Sequence, residues 1–96
     1  MRVMVTGRVP TRKGSEAISD GSITRIIQRT LEQIRPESAY FFVEHGVRTM
    51  RAVFDMTESM QSVTLFEPLI MELEAEIELI PVMNAEELTK GFAALH

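Results

Sequence analysis

The sequence predicts one α+β domain, a four-stranded antiparallel sheet with its two main helices on one face. Three features point to it. Four short segments alternate apolar and polar residues with the period of a strand. Two longer segments between them repeat apolar residues with the period of a helix. The whole fits in 96 residues, enough for one core.

Met1 to Arg8 alternates Val3 and Val5 with Met4 and Thr6, which predicts the first strand. Pro10 and Gly14 bracket a loop, and Ser15 to Asp20 forms at most a short helical turn. Asp20-Gly21 breaks that turn, and Ser22 is placed to cap the helix that follows. Ile23, Ile26, Ile27, Leu31 and Ile34 form its apolar stripe, and Pro36 ends it. Ala39 to Glu44 has strand composition. Glu44-His45-Gly46-Val47 reads as a hairpin turn and Arg48 to Asp55 as the returning strand.

Thr57 or Ser59 is placed to cap a second helix, with Met60, Val63, Phe66, Ile70 and Leu73 on its apolar side. Pro68 inside that pattern predicts a kink or an early end. Ala75 to Met83 alternates as a fourth strand that ends at Pro81. Asn84 and Glu87 form a capping box for a last helix striped with Leu88, Phe92 and Leu95.

The order β-α-β-β-α-β-α begins with the split βαβ, or ferredoxin-like, arrangement and adds a C-terminal helix. A two-residue turn at His45-Gly46 puts Phe41, Val43, Met50, Ala52 and Phe54 on the helix-covered face with Val3, Val5, Ile77 and Leu79. Met4, Thr6, Tyr40, Phe42, Thr49, Arg51, Val53, Glu76, Glu78 and Ile80 then share the open face. That face is too apolar to stay in water, so a homodimer with facing sheets is expected. A chain this short buries only about 60–70 % of its unfolded surface, and a second copy would supplement its core.

Composition narrows the functional classes. Net charge is −4, divided as +4 over residues 1–51 and −8 over residues 52–96. An acidic chain without a dense basic stripe argues against nucleic acid. The charge asymmetry suits attraction between the halves, across the sheet or a subunit boundary. Without cysteine there is no disulfide or thiolate metal site, which fits a cytoplasmic, reducing setting. No segment is apolar for long enough to span a membrane. The seven methionines read as adaptable core filler.

Several stretches carry a resemblance. Arg48 to Met56, Phe66-Glu67-Pro68 and Ile77 to Asn84, with Asp20-Gly21-Ser22 and Pro36 to Phe41, look like a group of small bacterial proteins without an assigned activity. That group resembles the dimeric α+β barrel class, which also includes muconolactone isomerase-like and antibiotic-biosynthesis monooxygenase-like domains. The class implies a homodimer with facing sheets and, in its catalytic members, a pocket between sheet and helices. No catalytic motif of a characterised branch matches this sequence, so the resemblance transfers no catalytic residue and implies no cofactor.

The residues themselves offer four candidate constellations. Tyr40, Arg51, Glu76 and Glu78, with Arg8 nearby, would converge on the open face, either as a ligand pocket or as cross-strand and intersubunit ion pairs. Arg12 and Lys13, just before a helix start, are a weak anion site or a solvated basic loop. His45 beside Glu44 is either a general base or a turn residue chosen for its backbone geometry. Asp55 either orients a group at a pocket mouth or favours the start of the second helix. His96 is too far from His45 for a zinc site without cysteine. Two functions stand side by side: a small-molecule binder or cofactor-free enzyme, and a non-catalytic dimerisation or interaction module.

Overall fold

The computed structural model describes residues 1–96. It has strands β1 (Arg2–Val9), β2 (Ser38–Glu44), β3 (Val47–Asp55) and β4 (Glu76–Pro81). Its helices are α1 (Thr11–Ser19), α2 (Ser22–Ile34), α3 (Gln61–Leu73) and α4 (Ala85–Ala93). The sheet order is β2-β3-β1-β4 with every neighbouring pair antiparallel, the ferredoxin-like order.

The hairpin sets the register of the sheet. Glu44 pairs with Val47, so His45 and Gly46 form a two-residue turn. Both have positive φ, 52° and 78°, the geometry of the tight turns that match strand twist. Tyr40 then pairs with Arg51, and Phe41 with Met50. Val5 pairs with both Ala52 and Leu79. The two faces therefore carry the residues expected of them.

The core lies between the sheet and α1, α2 and α3. Val3, Val5, Met50, Ala52 and Phe54 rise from the sheet, and Ile26, Ile34, Phe66, Leu69 and Leu73 descend from the helices. Phe54 and Phe66 meet edge to face with centroids 5.8 Å apart. Thr30, buried within α2, donates its hydroxyl hydrogen to the Ile26 carbonyl and so leaves no polar atom unmatched.

Several local expectations fail. The segment from Thr11 to Gly14 is the first turn of α1 and not a loop: Pro10 has the φ of a helix entrance, and Gly14 N–H donates to its carbonyl. Ser22 is the first residue of α2 and not its cap. Gly21 takes the cap position in left-handed geometry, and the Asp20 carboxylate accepts from the Ser22 N–H at 2.8 Å. Neither Thr57 nor Ser59 caps α3. Gln61 reaches back instead, accepting from the N–H groups of Thr57 and Glu58. The buried stripe of α3 is Phe66, Leu69 and Leu73, while Met60, Val63 and Ile70 are exposed.

Pro68 does not shorten α3, which runs on to Leu73. Burial of Leu69 and Leu73 below it holds the turn that a missing N–H would loosen. The capping box of α4 is present in both directions, Glu87 N–H to Asn84 Oδ1 and Asn84 N–H to Glu87 Oε1. No residue of α4 is buried, and Leu88, Phe92 and Leu95 are exposed.

Candidate functional site

Two regions hold side chains beyond those the core requires, one on each face of the sheet. On the open face, an ion lattice crosses all four strands. Arg8 on β1 bonds Glu78 on β4 through Nη1, and its Nη2 lies 3.5 Å from Glu44 on β2. Arg51 on β3 approaches the same Glu44 oxygen at 3.6 Å and donates from Nε to the Thr6 hydroxyl at 3.1 Å. The Arg51 guanidinium also lies over the Phe42 ring, 5.1 Å from its centroid. The hydrogen bond to Glu78 raises the Arg8 pKa beyond its usual value against a smaller opposing effect of desolvation, and Glu44 adds to the rise. Arg8 remains a cation at any working pH.

The four side chains expected to converge here do so in part. Arg51 and Glu78 belong to the lattice, joined through Arg8 and Glu44. Tyr40 is the strand partner of Arg51 but points to solvent, 68 % exposed. Glu76 pairs with Arg8 in strand register, but it is exposed and makes no ion pair. The sequence places Glu44 at the end of a strand and beside His45 in the hairpin turn, with no sign of this lattice. Its place in the lattice depends on β2 and β1 lying on either side of β3, which no local pattern records. Met4, Phe42 and Val53 lie half-buried around the lattice, and Ile80 is half-exposed.

The other candidate residues sit apart. Arg12 and Lys13 lie in the first turn of α1, and both pair with Glu16 one turn on. His45 is exposed at the hairpin tip. Asp55 accepts a hydrogen bond from the Met1 amine at 2.7 Å and ends β3 six residues before α3 begins. No three His, Cys, Asp or Glu side chains cluster closely enough to hold a metal ion.

The helix-covered face holds the second region, which local patterning did not reveal. Helix α2 buries Ile26, Thr30 and Ile34, and its Ile23 and Ile27 lean toward β2 without covering it. Phe41 and Val43, expected under the helices, are therefore 54 % and 70 % exposed. Between them runs a groove of about 550 Å³, walled by Ile18, Ile23, Ile27, Phe41, Val43 and Met50. Thr24, Gln28 and Arg48 supply its polar edge. Arg48 pairs with Val9 and Val43 in the strand register and rises from this face. Its guanidinium lies against α1, donating to the Thr11 carbonyl at 3.2 Å and to the Ser15 hydroxyl at 3.3 Å.

No protein-family model matches the chain. No curated protein matches it. Among solved structures, it is similar to a formyltetrahydrofolate deformylase from Pseudomonas putida KT2440, with a TM-score of 0.53 and 16 % identity. The likeness is one of fold. It covers 85 % of this chain but only 29 % of the deformylase chain, so this chain spans under a third of that protein's length. No helix is long and apolar enough to cross a membrane.

Proposed function

We propose that this domain binds a small apolar molecule in the groove between α1, α2 and the β2–β3 hairpin. The observation that carries the reading is the groove itself. Its volume of about 550 Å³ falls in the range of roughly 300–1,000 Å³ that small-molecule sites occupy, with apolar walls and a few polar groups at the edge. Removing Phe41 and Val43 from water supplies the driving force. A neutral fluorescent probe such as N-phenyl-1-naphthylamine tests it. Its emission rises on mixing with the protein, and Ile27→Asp, which places a charge on the groove wall, suppresses the rise. Equal emission with both proteins refutes the groove as a binding site.

A second reading concerns the open face, where two copies pair sheet to sheet. The charges of Arg8, Arg51, Glu44 and Glu78 already have partners within one chain, so covering this face strands only Glu76. Tyr40 and Ile80 then gain the apolar cover that a single copy does not give them. Tyr40, Arg51, Glu76 and Glu78 act on this reading as an association surface. Light scattering tests it at micromolar concentration: a dimer mass that Tyr40→Glu with Ile80→Glu reduces to a monomer mass supports it, and a monomer mass in the parent chain rejects it.

A further inference from the structure

We infer that the groove takes an amphipathic monocarboxylate, an aliphatic or aromatic tail ending in one carboxylate, with Arg48 holding the head. The inference rests on the groove being a binding site and adds the class of ligand.

Charge complementarity carries it. Arg2, Arg8, Arg12, Arg25, Arg29 and Arg51 each have a carboxylate partner within the chain. Arg48 has none, and Arg35, the other exception, stands exposed at the end of α2. Arg48 is half-buried and lines the groove with Thr24 and Gln28, while the neutral oxygens of Thr11 and Ser15 hold its guanidinium. Neutral acceptors orient a guanidinium but leave its charge uncompensated, and a partly desolvated uncompensated cation favours an anion.

The local packing keeps that head in place. The backbone of α1 passes so close that a Cβ on Gly14 would stand 2.8 Å from Arg48 Nη1. Glycine at this position leaves the guanidinium its place beside Ser15. One cation calls for one negative charge, which fits a carboxylate better than a doubly charged phosphate ester. The walls accept no hydrogen bonds along Ile23, Ile27 and Phe41, so the rest of the ligand is hydrocarbon.

Three probes with one tail and different heads test this, each kept below its micelle concentration: decanoate, decanol and decyltrimethylammonium. Titration of the full chain is followed by amide chemical shifts. Decanoate binds at least about tenfold more tightly than decanol, the gain expected of a hydrogen bond between charged groups. Decyltrimethylammonium binds more weakly than either. Arg48→Gln removes the difference between acid and alcohol while decanol binding persists, and Arg48→Lys restores part of it. If decanol matches decanoate in the parent chain, the carboxylate inference fails and the groove stands. If no probe moves the amides of Ile23, Ile27 and Phe41, the groove reading itself fails and takes the inference with it.

Discussion

Gly14 and Arg48 occupy one another's space: the guanidinium of Arg48 fills the volume that a side chain at position 14 would need, with Nη1 2.8 Å from the ideal Cβ site. The contact ties α1 to the start of β3. Two opposing effects follow from a substitution there. Alanine favours the helix by about 1 kcal/mol over glycine. It also displaces the guanidinium and presses on Val9 Cγ1 at 3.2 Å. Gly14→Ala is therefore expected to change stability by less than about 1 kcal/mol, because the displaced atom ends a flexible side chain. Gly14→Leu overpacks the site and costs about 1–3 kcal/mol. Urea denaturation of the three proteins checks both values.

The edge-to-face pair of Phe54 and Phe66 joins the sheet to α3. Both rings are at most 2 % exposed. Phe66→Ala is expected to cost about 3–5 kcal/mol, from lost burial and the cavity left behind. For a domain of this size that is a large share of total stability. Phe66→Leu retains most of the volume and should cost less than half as much. A pair of equal costs, measured by denaturant midpoints at constant slope, would contradict this account of the core.

Pro68 sits in mid-helix without an N–H to donate. Pro68→Ala restores a hydrogen bond and gains helix propensity, while the more flexible unfolded chain takes part of the gain back. A net increase of about 1–2 kcal/mol is expected. A loss of stability would mean that the ring is packed too well against its neighbours to replace.

Asn84 caps a helix that buries none of its residues. Asn84→Ala normally costs a helix about 1 kcal/mol. Here the loss should remain local. Amide exchange in residues 85–93 accelerates, while the thermal midpoint of the sheet hardly moves. A drop of several degrees in the global midpoint would show that α4 packs against something in solution, and a second copy is the first candidate.

Asp20 has a pKa below the usual carboxylate range, because Ser22 donates to it from its side chain and its backbone N–H, with Lys13 and Arg25 adding a smaller attraction. A carboxylate whose folded pKa is depressed adds stability above its unfolded pKa of about 3.9 and loses it as pH falls through the lower folded value. Asp20→Asn should therefore melt lower than the parent at neutral pH, with the gap closing as pH falls below 4. A gap that stays constant to pH 2 would rule out a contribution from the ionised Asp20 carboxylate.

Attraction between the basic and acidic halves is visible in named pairs. Arg8 meets Glu78, Arg29 meets Glu72 and Arg2 meets Glu87, each a basic residue of the first half with an acid of the second. These three pairs join the two halves within one chain.

Local chemistry determined the elements that depend on neighbours in sequence. The alternation of Val3 and Val5, the Ile26–Ile34 stripe, the His45-Gly46 turn and the Asn84–Glu87 box are each set by a few consecutive residues. The sheet faces follow from them, because a two-residue turn leaves one register. Tertiary structure alone decided what each face meets. Phe41 and Val43 point to the helix side as their parity requires, yet they stay exposed because a groove separates the edge strand from Ile23 and Ile27 of α2. Glu44 joins Arg8 and Arg51 because β3 and β1 bring side chains from distant positions to one surface. Arg48 lacks an acid because the residues that α1 sets against it are neutral. Periodicity reports the direction of a side chain, and only the packing of one element on another decides whether anything covers it.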